Sequence, residues 1–376
     1  VRAVDGFVEP AYGVRGLGDV VPAVARALGR TGVLPEPSGL VLPEAPAYVV
    51  FLVDGLGQRL LERHRDLAPY LASLLVDSQP GTAGVPSTTS TSLTSLGTAL
   101  PPGTHGLVGF TARVPATGKL LNALFWDKSI DPLQWQPHET AFSRLSAAGV
   151  RVDVVNKREF DRSGLTVAAH RGAGYIGADK VGERIAAAVS GSAHRPSLTY
   201  LYDSDLDWTG HRYGVDSPQW RQQLATVDAQ AQQLREALPD EVRIVVVADH
   251  GMVDCSAGDR IDVDRFPELR EGLALLGGEA RFRHLYADAG AADDLASTWS
   301  ELLGDRATVL TRAAAVERGW FGAVTEAVLP RLGDVVVAGH GSFGVFSSRD
   351  FGYETSLIGL HGSLTADEML IPLLVG

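Results

Sequence analysis

The sequence predicts an α/β protein, and three apolar runs that each end on an aspartate are what predict it. Tyr48–Val53, Ser197–Tyr202 and Val242–Val247 are dense in β-branched, leucine and aromatic side chains, the composition of buried strands. They run into Asp54-Gly55, Asp203-Ser204-Asp205 and Ala248-Asp249-His250-Gly251 respectively. In open α/β sheets ligands lie in the crevice beyond the carboxyl ends of the strands. The three junctions are therefore candidate site positions.

Composition narrows the function classes. With 376 residues, 45% of them hydrophobic, the chain supports one large α/β domain or a domain with an insertion. A formal net charge of −12 and the lack of a basic run argue against a nucleic-acid polymer as partner. The single cysteine, Cys255, excludes an intrachain disulfide framework and a cysteine-based zinc cluster. Any metal must then be held mainly by His, Asp or Glu. No apolar run approaches the length of a membrane span, and Val1–Asp5 carries no hydrophobic signal core. The expectation is a cytoplasmic protein without membrane association, with a removed leader left open because the chain does not begin with Met.

In chain order, residues 1–46 are rich in Gly and Pro, with one helix expected at Leu17–Leu28, and read as an edge or lid segment. After the Tyr48–Val53 strand a helix runs through Arg59–His64. Asp54 at the junction either caps that helix or points a carboxylate into the crevice. The stretch from Val85-Pro86 to Leu96 is dense in hydroxyls, with Leu93 and Leu96 at helical spacing and Pro86 suited to a helix start. Helix amino termini favour anions, so a Ser or Thr of the first turn is placed to attack a phosphorus, unless it serves only as a cap. Phe110, Asn122, Phe125, Trp126 and Lys128 form either one wall of a pocket or part of the core.

A strand at Val150–Val155 and a helix at Ala178–Val189 follow. Past the Ser197–Tyr202 strand, Asp203, Asp205, Asp207 and His211 crowd one segment, which requires solvent, partners or a cation. Asp207 and His211 lie four residues apart, close enough for one metal to take both; the alternative is a solvated acidic loop. Residues 218–237 have amphipathic helical spacing. Beyond Cys255 the strands shorten (Arg283–Tyr286 and Asp334–Ala338), with helices near Ala291–Leu303 and Thr311–Arg318. The expected division is a metal-binding α/β domain from residues 1–254 and 349–376, and a smaller α+β cap insertion over 255–348. His361, beside Gly362, reads either as a buried histidine or as a ligand.

Taken in order, the series is Asp54-Gly55, Pro86 to Thr89 with Pro102-Gly103-Thr104-His105-Gly106 downstream, Asp207-Trp208-Thr209-Gly210-His211, Asp249-His250-Gly251 and His361-Gly362. It resembles the alkaline phosphatase superfamily, and within it the type I phosphodiesterase/nucleotide pyrophosphatase branch, over roughly residues 48–376. The resemblance implies a mostly parallel central sheet with helices on both faces and two divalent metal ions, usually zinc; Mn and Fe also suit such ligands. It implies one metal on Asp54, Asp249, His250 and the oxygen of Thr89, and the other on Asp207, His211 and His361. It also implies Thr89 as nucleophile and a structural role for His105.

A threonine hydroxyl attacks poorly at neutral pH until a cation lowers its pKa, and two metals about 4 Å apart hold the attacking and leaving oxygens of an in-line displacement. The expected activity is hydrolysis of a small phosphate ester, as a phosphodiesterase or nucleotide pyrophosphatase, through a phosphothreonine. The alternatives are a phosphomonoesterase, a phosphonate hydrolase or a non-catalytic binding protein. One departure concerns the substrate: where the branch has an Asn that donates to a phosphate oxygen, this chain has Phe110. Asn122 or Lys128 is expected to supply the donor, and Phe110 or Trp126 to stack on a base or aryl group. The chain lacks a Cys-x-Pro-x-Arg pattern, which argues against sulfate esters.

Overall fold

A computed structural model describes residues 3–4 and 6–376. Its centre is a sheet of β1 (Ala47–Val53), β2 (Arg151–Asn156), β3 (Gly174–Gly177), β4 (Ser197–Asp203) and β5 (Val242–Val247), closed on one edge by Leu373–Val375. The spatial order is Leu373–Val375, β5, β1, β4, β2, β3, and every pairing except that of the edge strand is parallel. Parallel strands are covered on both faces, which is why β1 is apolar and buried at every position. Gly174–Gly177, at the far edge, is only partly buried and carries no such signature.

Helices form two separate layers. α1 (Val20–Ala27) and α2 (Thr89–Thr98) pack together, while α3 (Val181–Ser192) lies against β2 and β4 beside α5 (Pro218–Ala237), which α4 (Asp205–Tyr213) precedes. The edge-or-lid reading of the first 46 residues does not hold for α1, which is buried at all but one position and packs on α2. A helix with apolar side chains nearly all round is driven inside. Among the described residues no helix is long and apolar enough to cross a membrane.

All ten residues of α2 are buried, although seven are Ser or Thr. The hydroxyls are internally satisfied: Thr94 and Thr98 donate to the carbonyls four residues back, Ser90 to Gly109, Thr91 to Leu107 and Ser92 to Asp249. Such hydroxyls accompany a helix that carries no apolar stripe and still sits in the core. Gly97 allows its closest approach, since a Cβ there would meet the carbonyl oxygen of Ala169 at 1.9 Å. Gly97→Ala is expected to cost about 3 kcal/mol by overpacking, read as a lower urea midpoint with unchanged slope.

After β5 the chain builds a second, antiparallel sheet of β6 (Leu273–Glu279), β7 (Phe282–Ala287), β8 (Ala307–Thr311) and β9 (Val335–Gly339), ordered β6, β7, β9, β8. α6 (Ala292–Leu303) covers it through Leu295, Trp299 and Leu303, within an apolar cluster running from Ile261 to Phe351. Strands β6 and β8 leave no clear trace in the sequence; Leu273–Glu279 contains two glycines and a bulge at its start, which erases the two-residue alternation. Two fully buried arginines fix this sheet in place. Arg281 forms a two-pronged pair with Glu368 of the chain's C-terminal segment, at 2.9 and 2.6 Å, and Arg283 pairs with Glu354.

Candidate metal centre and active site

Because β5, β1 and β4 are parallel and in register, Val247 against Leu52 and Val53 against Asp203, their carboxyl ends open on one crevice. Asp54 follows the end of β1 directly, Asp249 comes one residue past Ala248 at the end of β5, and α4 delivers Asp207 and His211 from the end of β4. Gly55 makes the approach possible. Its φ is +74°, and a Cβ there would lie 3.0 Å from that of Asp207, so only glycine fits both the conformation and the gap. The extended loop after Gly359-Leu360 brings His361 between the two groups, its ring stacked on His250 at 3.7 Å.

Two clusters of ligating atoms result, Asp54/Asp249/His250 and Asp207/His211/His361, each within 4.8 Å internally. The hydrogen bonds fix what faces inward. The Nδ1 atoms of His211, His250 and His361 lie 2.7, 3.0 and 3.0 Å from the carbonyl oxygens of Gly359, Gly251 and Ser87. A carbonyl only accepts, so in each neutral ring Nδ1 carries the proton and Nε2 a lone pair. Those lone pairs confront other acceptors: His250 Nε2 is 3.4 Å from Asp54 Oδ1 and from Asp249 Oδ2, and His211 Nε2 is 3.3 Å from Asp207 Oδ2 and 3.2 Å from His361 Nε2. Asp54 Oδ1, Asp207 Oδ1 and Asp249 Oδ2 have no hydrogen-bond partner. Converging acceptors without donors fit divalent cations, with the backbone carbonyls as the outer partners that orient ligating imidazoles.

Electrostatics agree. Burial, with Asp249 and Asp207 alongside, holds the Asp54 carboxyl well above the usual carboxylate range, and burial also raises Asp249. Burial and the neighbouring His250 and His211 hold His361 well below the usual imidazole value. Without cations the cluster must neutralise itself with protons. The other two aspartates of the segment are matched elsewhere: Asp203 pairs with Arg184 and Asp205 with Lys157 Nζ at 2.8 Å.

Thr89 is the first residue of α2, and its hydroxyl lies 3.3 Å from His250 Nε2. Thr88 lines the cavity as well but caps the helix through its backbone. His105 is wholly buried between the Ser95 hydroxyl and the Leu107 amide, its pKa pushed down to about 3 by burial, which makes it a strut of the α2 packing. A cavity of about 650 Å³ opens over Asp54, Thr89, Asp207, His211 and His361.

The structure treats the expected substrate contacts unequally. Phe110 lines the cavity and tilts against Tyr353, with ring centres 6.0 Å apart. Asn122 and Lys128 are not among the lining residues: Asn122 Oδ1 accepts from the amides of Leu124 and Phe125 in a turn, and Lys128 stands in an exposed loop. Trp126 also faces away, donating to the Ile130 carbonyl and packing on Trp135. The wall instead includes Lys157, Trp208, Glu279 and Tyr353. Lys157 follows the end of β2 just as Asp54 follows β1, a signal open to the same strand-end rule. Glu279 and Tyr353 come from segments with no motif of their own.

A mostly parallel α/β sheet carrying two His/Asp clusters and a threonine at its carboxyl edge is the layout of the alkaline phosphatase superfamily. Comparison with known proteins narrows this. The family model for type I phosphodiesterase / nucleotide pyrophosphatase matches residues 48–364, and the chain belongs to that family. A curated relative, human ectonucleotide pyrophosphatase/phosphodiesterase family member 7, is 40% identical over 79 residues, a stretch that spans 19% of this chain and 17% of the relative. Among solved structures, murine ectonucleotide pyrophosphatase / phosphodiesterase 5 superposes with a TM-score of 0.69 at 18% identity, covering 87% of each chain. Phosphonoacetate hydrolase from Sinorhizobium meliloti 1021, solved with phosphonoformate, gives 0.67 at 20% identity, over 90% of this chain and 92% of the other. At these identities the superpositions speak for the fold.

Proposed function

We propose that this protein is a metal-dependent hydrolase of small phosphoric esters, with Thr89 as the nucleophile. The observation that carries the reading is the set of unpartnered acceptors converging beside the Thr89 hydroxyl. Asp54, Asp249 and His250, with the Thr89 oxygen, would hold one divalent ion, and Asp207, His211 and His361 the second; zinc suits the imidazole-carboxylate set. Bound ions would lower the pKa of the Thr89 hydroxyl and neutralise charge developing on the phosphoryl oxygens. Thr89 Oγ1 then forms a bond to phosphorus as the ester P–O bond breaks. The Thr89 proton leaves to solvent, and the departing alkoxide takes one up. Hydrolysis of the resulting phosphothreonine by water restores the hydroxyl and releases phosphate or a monoester.

The wall favours esters of bulky apolar or aromatic alcohols. Leu93, Phe110, Phe125, Phe160, Trp208 and Tyr353 line it, against one lysine, itself paired. Side-by-side turnover of p-nitrophenyl phosphate and bis-p-nitrophenyl phosphate after defined zinc loading tests the reading. The expected result is preference for the diester, whose second aryl group occupies that wall. Monoester preference would make the protein a phosphomonoesterase, and inactivity on both with two ions bound would overturn the proposal.

A further inference from the structure

Asn156, the last residue of β2, lines the cavity with only 3% of its surface exposed. Its Oδ1 accepts from the Lys157 amide at 2.8 Å, and the Tyr175 hydroxyl donates to the Lys157 carbonyl at 2.5 Å, so the turn after the strand is held on both sides. A backbone N–H can only donate, which settles the orientation of the side-chain amide and leaves Nδ2 on the other side. Among the described residues Nδ2 has no hydrogen-bond partner, and it is not one of the enclosed unpartnered atoms either. It therefore reaches open space, and the open space beside this residue is the cavity.

Register fixes where along the cavity this donor stands. β2 pairs with β4 in parallel, Val155 against Leu201, so the next residues, Asn156 and Tyr202, share a face of the sheet. Tyr202 also lines the cavity and donates its hydroxyl to Asp54. β1, which leads into Asp54, is two strands from β2, about 10 Å at the usual strand spacing. That separation puts the amide beside the alcohol portion of a bound ester rather than beside its phosphorus.

The cavity also has an apolar wall, with Leu93, Phe160 and Leu165. The charges next to Asn156 in the chain or in the cavity are Lys157, paired with Asp205 Oδ1 at 2.8 Å, and Glu159. One cation against two carboxylates gives an anionic group no advantage, whereas an uncharged acceptor meets a free N–H. A donor set among apolar side chains costs free energy until an acceptor reaches it. We propose, on the hydrolase reading above, that Asn156 is a specificity-determining residue whose Nδ2 donates to an uncharged carbonyl oxygen on the alcohol portion of the ester. The preferred substrate is then a phosphodiester with one alcohol that joins an apolar or aromatic body to a carbonyl acceptor at its far end.

The test compares two chromogenic diesters, p-nitrophenyl 4-acetylbenzyl phosphate and p-nitrophenyl 4-isopropylbenzyl phosphate, which have nearly the same shape and differ in the carbonyl. The zinc-loaded full chain of wild type, N156L and N156D is assayed for kcat/KM on each, read as the ratio of acetyl to isopropyl. Wild type is expected to give a ratio of about ten, the worth of one hydrogen bond that the isopropyl ester cannot make. In N156L the ratio should fall to about one, by loss on the acetyl ester. A variant damaged only in stability or metal content would slow both esters alike and leave the ratio where it was. A wild-type ratio near one, or an N156L ratio within about twofold of wild type, overturns the assignment. Should N156L not fold, N156D decides by the same criterion, because its carboxylate keeps the acceptor for the Lys157 amide and lacks the N–H. Hydrolysis of both esters without discrimination removes only Asn156; zinc-loaded wild type inert toward every phosphate ester removes the hydrolase reading as well.

Discussion

Thr89→Ala is expected to lower kcat at least about a thousandfold, the scale on which loss of a nucleophile is felt when the remaining groups still bind and polarise the substrate. The expectation comes from position. The other Ser and Thr hydroxyls of the helix that have hydrogen bonds donate to carbonyls or meet His105, whereas that of Thr89 meets His250 beside the aspartates. Thr89→Ser should retain measurable turnover, since it preserves the oxygen. Acid quenching during turnover should trap phosphate on residue 89 in the wild type and none in the alanine variant. Full turnover by Thr89→Ala with both ions bound would show that water attacks directly.

Stripping the protein of metal with a chelator is expected to abolish turnover and to lower Tm by several degrees. Ions that bind the folded chain alone stabilise it by about 4 kcal/mol at a thousand times their Kd, a shift of at least several degrees for a domain of this size. The pH dependence has a definite sign. In the metal-free protein Asp54 and Asp249 titrate above their ordinary range, so the folded state keeps protons that the unfolded chain releases. Its stability therefore falls as pH rises above about 4. Metal loading removes that penalty, and the difference in Tm between loaded and stripped protein should widen between about pH 5 and pH 8. Asp249→Ala and His361→Ala should each retain one ion of two. A gap in Tm that narrows with rising pH would contradict the placement of cations between these carboxylates.

Much of this was legible in the chain itself. β1, β4 and β5 are local events: a run of β-branched and aromatic residues has no better option than a buried strand, and an aspartate after each run must emerge at the carboxyl edge of a parallel sheet. Asp54 and Asp249 are legible that way, whereas Asp207 and His211 are legible from the acidic crowding past β4 and their four-residue spacing; the aspartate at the end of β4 itself, Asp203, pairs with Arg184. Such signals fail where the elements are short or the packing is non-local. Gly174–Gly177 and Leu273–Glu279 contain glycines that dilute the pattern, and α1 read as an edge because its burial depends on helices far along the chain.

The sequence by itself determined the inner strands β1, β2, β4 and β5, the acidic junctions and the residue types that suit a divalent cation, because these follow from side-chain periodicity and from chemistry held within a few neighbouring residues. Only the tertiary structure decided which of those residues share a cavity. It turned Asn122 into a turn acceptor and Lys128 outward, and it brought Glu279 and Tyr353 to the wall from segments more than 150 residues beyond Phe110. A cavity wall is built where distant segments cross, and no property of one segment reports what the others will place opposite it.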